Sequence, residues 1–473
     1  MSGHPETVTV AAGQLVARLM NDAPATLASI EALINRAAAM RVELLVLPEC
    51  AYPAYLLGSV TSYRAGDHLS GKQYVHWLQE RAERHRLHIV SGFVEEADEV
   101  LHNSAVLIDD RGQEVGRSRK RFLWHADHEW FAPGNEIRAF DTRLGRVGMV
   151  ICAETRVPEI LATLTADGAE LIALPTCWIN HARESGRFEN PQVEYLMEAR
   201  AREFGVPFVC ADKCGLELGA VGYVGQSRII RADGTVAAEA PPTGETVIAA
   251  RMPLRRPNRL WISERRREAL LEADAAGEHP ITPAGDERLI RVAAMPTVVA
   301  NQRYTGSMGE GLFEPLRKRD VQLLLVNMGQ EAPAEQLAMM ARAFDMHAVG
   351  FPTEAGLFRL GAARVGCVAG QWVRSFAAAR ALSLAGAEIL MLFDIPDDLP
   401  LLRTRALENR VFVMGVSERW AVIIAPDGTI LGRSASSDPR EVIAQIDLTD
   451  AANKQVAPKT DVFAERRVDL YRF

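Results

Sequence analysis

Short apolar runs alternate with helix-length segments along most of this chain. TLASIEALINRAAAMR (26–41) carries apolar residues at helical spacing before the run ELLVLP (43–48). VEYLMEARAREFG (193–205) does the same before VPFVCA (206–211). Strands that are apolar throughout, each flanked by a helix, predict α/β layers with the sheet buried on at least one face. The DGT triplets at 233–235 and 427–429 predict tight hairpins between strands. EADAAGEHPITPAGDER (272–288) is charged and broken by Pro and Gly, and predicts a linker.

The pattern also repeats. TVTVAAGQL (7–15) returns as IRVAAMPTV (290–298), LLVLPE (44–49) as LLLVNM (323–328), and RVGMVIC (146–152) as RVGCVAG (364–370). GAELIALPTCW (168–178) returns as GAEILMLFDIP (386–396), ARAREFGVPFV (199–209) as TRALENRVFVM (404–414), and IIRADGTVA (229–237) as IIAPDGTIL (423–431). Each copy closes on an ERR element, SERRREALL (263–271) and AERRVDLYR (464–472). One such pair means little, because apolar strands resemble each other. So many in the same order indicate duplication. The expected division is a first copy over 1–271, a linker over 272–288 and a second copy over 289–473.

The copies differ where chemistry would sit. Glu49 and Cys152 stand 103 positions apart, their counterparts Met328 and Gly370 only 42, so the second copy is 61 residues shorter there. A free cysteine after an apolar run is usually core. Yet the second copy keeps RVG and the apolar residues while losing Cys152, so folding does not require the thiol. Cys367, inside the echo, reads as the true core cysteine.

Length and composition narrow the classes. A chain of 473 residues, 48% hydrophobic and 24% charged, is comfortable for two domains with sizeable cores. A net charge of −8 offers no broad basic field for nucleic acid or anionic lipid. No apolar run reaches the ~18 residues of a membrane span. MSGHPETVTV lacks the regions of a signal peptide. Six cysteines in so long a chain are no disulfide framework, and Cys210 and Cys214 lack a second ligand pair for zinc. A reduced, cytoplasmic protein is expected.

In the first copy, LLVLPE ending in Glu49, RSRKRFLW carrying Lys120, DHEWFAPG (127–134) and RVGMVICAETRVPE follow one another, with GAELIALPTCW, the ARAxE element and Gly225–Ser227 behind them. Over residues 7 to about 271 this resembles the nitrilase superfamily of carbon–nitrogen hydrolases. The resemblance implies an αββα four-layer sandwich in each copy, an internal pseudo-dimer with one working site, no cofactor and no metal. It further implies Cys152 as nucleophile, Glu49 as general base and Lys120 as electrostatic stabiliser. The chemistry is consistent: a neutral thiol is a weak nucleophile, a neighbouring carboxylate takes its proton, and an ammonium stabilises the charge that forms on the attacked group.

A second acid before the PG turn is also implied, and two compete. Glu129 lies four residues before Pro133 and Asp127 six; Glu129 is preferred because an aspartate shortens the reach. Trp178, at the PxxW position, is expected to shape the pocket, and the N–H of Ala153 to serve as a second oxyanion donor. Glu154 and Arg156 fill the CxDxRxPE pattern; Arg156 is a candidate partner for a substrate carboxylate or for Glu154 or Glu159. His125 and His128 beside Asp127 and Glu129 are weighed as a metal site and set aside.

The leading expectation is hydrolysis of a linear amide or N-carbamoyl bond in a small molecule, through a thioester. Nitrile hydrolysis ranks below it, since Ala153 rather than tryptophan follows the cysteine. Acyl transfer and a non-enzymatic binding or regulatory role are the other readings. Further homo-oligomerisation is left open.

Overall fold

The computed structural model describes residues 6–181, 186–254, 270, 288–305, 309–328, 334–350, 356–361 and 363–473. It divides into two compact units: Met1–Leu260 with Ala457–Thr460 and Asp469–Phe473, and Trp261–Val456 with Asp461–Val468. The linker expected over 272–288 lies, apart from Arg288, outside the described residues, as does most of the first ERR element.

In the first unit, the run TVTVAAGQLV forms the strand Thr7–Val16, buried almost throughout, as a strand covered on both faces must be. It pairs parallel with Leu44–Val46, which pairs parallel with His88–Ala97. The eight-stranded sheet runs Val221–Val224, Lys213–Glu217, Thr7–Val16, Leu44–Val46, His88–Ala97, Val100–Ile108 and Glu114–Arg119, with Thr246–Pro253 also laid antiparallel on Thr7–Val16. The amphipathic segment predicted over 26–41 is the helix Ala23–Ala39, opened by Pro24 in its first turn. It turns Ile30, Leu33, Ile34 and Ala37 onto the sheet, the spacing of one helical face. Each large side chain buried this way is worth about 1.5–3 kcal/mol. Gly71–His85 packs on the same core, fastened by a capping box between Ser70 and Gln73.

A second, six-stranded sheet orders Val236–Glu239, Arg228–Ile230, Phe208–Ala211, Leu171–Pro175, Gly145–Met149 and Ala139–Thr142. Its helices are Pro158–Ala166 and Met197–Phe204. The latter ends at Gly205, whose φ of 65° supplies the left-handed cap. It is entered through a π-helical turn, Gln192–Leu196, a distortion that often marks a functional position. The first DGT triplet closes the predicted hairpin between Arg228–Ile230 and Val236–Glu239, Gly234 at φ 83° allowing the turn.

The second unit has a four-stranded sheet (His347–Val349, Leu323–Val326, Leu289–Met295, Val442–Asp447) and a six-stranded one (Leu357–Leu360, Ala363–Ala369, Ile389–Phe393, Phe412–Val416, Ala421–Ile424, Ile430–Arg433). Glu310–Arg317 and Ala334–Arg342 lie with the first core, Phe376–Leu384 and Leu399–Asn409 with the second. The fold is α/β in both units, as the alternation of apolar runs and helices predicts. Among the described residues, no helix is long and apolar enough to cross a membrane.

Candidate active site

Three of the residues singled out in the sequence sit just beyond the carboxyl ends of strands, where open α/β sheets hold their ligands. Glu49 follows Leu44–Val46, Lys120 follows Glu114–Arg119, and Cys152 follows Gly145–Met149. Gly92 makes the first placement possible: a Cβ there would meet the Pro48 carbonyl oxygen at 2.4 Å and Glu49 Cα at 2.6 Å.

Glu49 is fully buried. Its Oε1 accepts Lys120 Nζ and Asn103 Nδ2, both at 2.7 Å. Its Oε2 has no hydrogen-bond partner, although Glu49 lines the cavity that Cys152 also lines. An unsatisfied buried carboxylate oxygen is costly, and among the described residues Glu49 Oε2 is one.

Lys120 is held by its own backbone, N–H to the Asn103 carbonyl and C=O from the Gly134 N–H, both 2.8 Å. Its Nζ lies 2.6 Å from Asp127 Oδ2 as well as 2.7 Å from Glu49. Burial alone would strip its proton, but Asp127 and Glu49 more than offset this and raise its pKa well above the ordinary lysine value. Asp127 is fully buried and also accepts the Trp124 N–H at 2.8 Å.

The geometry brings Asp127, and not the preferred Glu129, up to Lys120. Glu129 lies on the exposed side of the short helix Asp127–Trp130 and pairs with Lys459 at 2.5 Å. The chain itself carries Asp127 up to Lys120, so the shorter side chain needs no extra reach.

Cys152 opens a 3₁₀ turn, Cys152–Arg156, with φ at 45°, a left-handed conformation unusual for a side chain other than glycine. Its thiol points at the Cys177 carbonyl, 3.7 Å away. Burial, with the Glu49 charge added, raises its pKa, opposed by Lys120. The resting side chain is therefore a protonated thiol.

Glu154 does not face the cavity. It is fully buried against Arg121, Nε to Oε1 and Nη2 to Oε2 at 2.6 Å each, and it also accepts the Arg121 and Ile151 N–H groups at 2.7 Å. The structure places it behind the turn that carries Cys152, paired with Arg121 rather than on the cavity wall where the sequence reading put it. Arg156 lines the cavity and stacks 4.8 Å over the Trp124 ring. Trp178 and Ala153 line the same cavity, and the Trp178 N–H goes to Asp212 Oδ1 at 2.8 Å. Ser227 ties back to Asp212, its Oγ accepting the Asp212 N–H at 2.9 Å, so Gly225–Ser227 supports the strand ends. Among the described residues, no group of three or more His, Cys, Asp or Glu side chains could hold a metal ion.

Other neighbours went unnoticed in the sequence. Asn103 Nδ2 reaches Asp127 Oδ1 at 3.5 Å besides Glu49, bridging the two acids. Its signal was a polar residue buried mid-strand in VLHNSAVLI. Gln192, in the π-helical turn, donates to the Cys152 carbonyl at 2.9 Å and to Thr155 Oγ1 at 2.8 Å. Arg200 of the ARAxE element donates to the Thr155 carbonyl at 2.9 Å and pairs with Glu203 at 2.9 Å, fixing the same turn from behind. Tyr55 and His181 also line the walls. The enclosed space is about 10 Å³ for the centre of a water-sized molecule, roughly the room one water needs.

Residues 9–257 match the family described as carbon-nitrogen hydrolase. A nitrilase of Pyrococcus abyssi is 30% identical over 226 residues, 47% of this chain and 82% of that protein. An N-carbamoylputrescine amidase of Arabidopsis thaliana is 26% identical over 189 residues, 37% of this chain and 63% of that protein. Among solved structures, an amidase of Nesterenkonia sp. aligns at 22% identity with a TM-score of 0.46, covering 54% of this chain and 94% of that one.

Proposed function

Because the chain belongs to the carbon–nitrogen hydrolase family, we propose that its first unit hydrolyses the C–N bond of a small linear amide or N-carbamoyl compound through a thioester on Cys152. The observation that carries this reading is the placement of Lys120 between Glu49 and Asp127, 2.7 and 2.6 Å away, in a buried cavity shared with Cys152.

Glu49 Oε2 takes the thiol proton, and the thiolate of Cys152 attacks the carbonyl carbon. Negative charge forms on the oxygen, where the Lys120 ammonium and the Ala153 N–H meet it; one such donor is worth about 3–4 kcal/mol in the transition state. Glu49 passes its proton to the departing nitrogen, leaving the thioester. A water then enters; Glu49 takes its proton as the oxygen attacks the thioester carbon, the C–S bond breaks, and Glu49 returns the proton to sulfur, freeing the acid and the Cys152 thiol. Asp127 keeps Lys120 charged and in place without touching substrate. Arg156, on the cavity wall, suits a substrate carboxylate through a paired hydrogen bond.

The second unit fits a copy that has lost this chemistry. Gly370 opens the turn Gly370–Arg374 with φ at 58°, as Cys152 opens its own at 45°. Arg405 pairs with Glu408 at 2.8 Å as Arg200 pairs with Glu203. Met328, buried, stands where the first copy has Glu49. A scaffold with the elbow and the brace but without the reactive groups supports duplication followed by decay.

Ammonia release tests the activity. Wild type and Cys152→Ala are to be mixed with aliphatic amides, N-carbamoyl amino acids and nitriles. Release from amides or carbamoyl compounds by wild type alone is expected. Release from nitriles alone would favour the nitrilase reading, which the Pyrococcus abyssi relative supports. No release from any of them would favour a binding protein.

A further inference from the structure

Four residues from near the C-terminus, Ala457–Thr460, belong to the first unit, although Val456 and Asp461 on either side belong to the second. Thr460 is fully buried, and its Oγ1 accepts the backbone N–H of His125 at 2.8 Å. His125 has φ at 43°, again left-handed without being glycine, a state that persists only where its surroundings enforce it. Lys459 adds the ion pair with Glu129. Both partners lie in the segment Trp124–Trp130, whose other side faces the reaction. There Asp127 accepts the Trp124 N–H and meets Lys120, and the Trp124 ring lies beneath Arg156 in the cavity wall.

The segment is thus gripped twice, by Lys120 from within and by Ala457–Thr460 from without. The Lys459–Glu129 pair is exposed and worth little alone, so the grip rests on Thr460, whose own side chain is buried. We infer that Thr460 is a positioning residue: acting through His125, it holds Asp127 against Lys120 and so sets the charge beside Cys152. Its catalytic meaning rests on the proposed hydrolysis; the grip itself does not. On this view Ala457–Thr460, more than 300 positions along the chain from His125, completes the working site of the first unit.

The test uses the full chain with Thr460→Val, which keeps the shape and loses the acceptor, and Thr460→Ser, which keeps it. Hydrogen exchange of the peptide spanning 122–131 reads the grip, and iodoacetamide labelling of Cys152 as a function of pH reads its consequence. Thr460→Val is expected to speed exchange about tenfold and to move the labelling profile to higher pH, with Thr460→Ser close to wild type. Unchanged exchange would overturn the inference. Faster exchange with an unmoved labelling profile would overturn it too, leaving only a structural contact. If Thr460→Val does not fold, Thr460→Ala, which also removes the acceptor, must move both readouts the same way. Ammonia release on the same samples separates the failures: an inactive wild type sinks the hydrolase reading, whereas an active wild type with an unmoved Thr460→Val sinks this one.

Discussion

Lys120 and Asp127 meet at 2.6 Å with both side chains buried, seven positions apart in a loop that folds back on itself. Two carboxylates share one ammonium here, since Glu49 holds the same nitrogen at 2.7 Å. A lysine buried without them would lose its proton. The two carboxylates therefore keep the Lys120 ammonium charged in a buried site, where charges interact far more strongly than in water.

Replacing Asp127 by Asn should lower kcat/KM by about 10²-fold or more, because Lys120 loses both charge support and orientation. Glu129→Gln should stay within about twofold, as expected of an exposed ion pair. Steady-state kinetics of the two variants decide the matter. Equal losses would restore Glu129 to the machinery.

Cys152 titrates above an ordinary thiol, because burial and the Glu49 charge disfavour its thiolate and Lys120 only partly compensates. Below that raised pKa the thiol is protonated. Iodoacetamide labelling should therefore rise steadily from about pH 6 to about pH 9 without a plateau. Lys120→Met removes the neighbouring positive charge that favours the thiolate and should slow labelling further. A plateau near neutral pH, read by mass spectrometry of the Cys152 peptide, would show a resting thiolate instead.

Glu154→Gln removes one charge of a buried, doubly hydrogen-bonded pair and strands Arg121. Breaking such a pair costs about 3–5 kcal/mol. The melting temperature should fall markedly, with the substrate's KM changing only as the turn loosens. A pure KM effect at unchanged melting temperature would return Glu154 to the substrate.

Arg156→Lys keeps the charge but loses the planar fork. It should raise KM for carboxylate-bearing substrates about tenfold or more while leaving neutral amides within about twofold. Equal effects on both would remove Arg156 from carboxylate recognition.

Apolar runs and helical spacing made the layered α/β fold legible, because strand and helix periods differ and both are written in burial. Glu49, Lys120 and Cys152 were legible as strand-end residues in a recognised order. The choice between Asp127 and Glu129 was not. Both stand in one short helix, and which faces inward depends on the left-handed His125 just before it, a backbone state that no spacing rule announces. Glu154 misled for a similar reason: the 3₁₀ turn after Cys152 rotates it toward Arg121, a partner 33 positions earlier. Thr460 was out of reach altogether, since nothing local links it to residues more than 300 positions away.

The central claim is a covalent acyl group on Cys152. Intact-protein mass spectrometry on samples quenched with acid during turnover of an amide tests it directly. The expected result is a mass increase equal to the acyl group, mapped to the Cys152 peptide, transient in wild type and absent in Cys152→Ala. Turnover with no adduct at any time in the pre-steady state, or an adduct that survives Cys152→Ala, would contradict it.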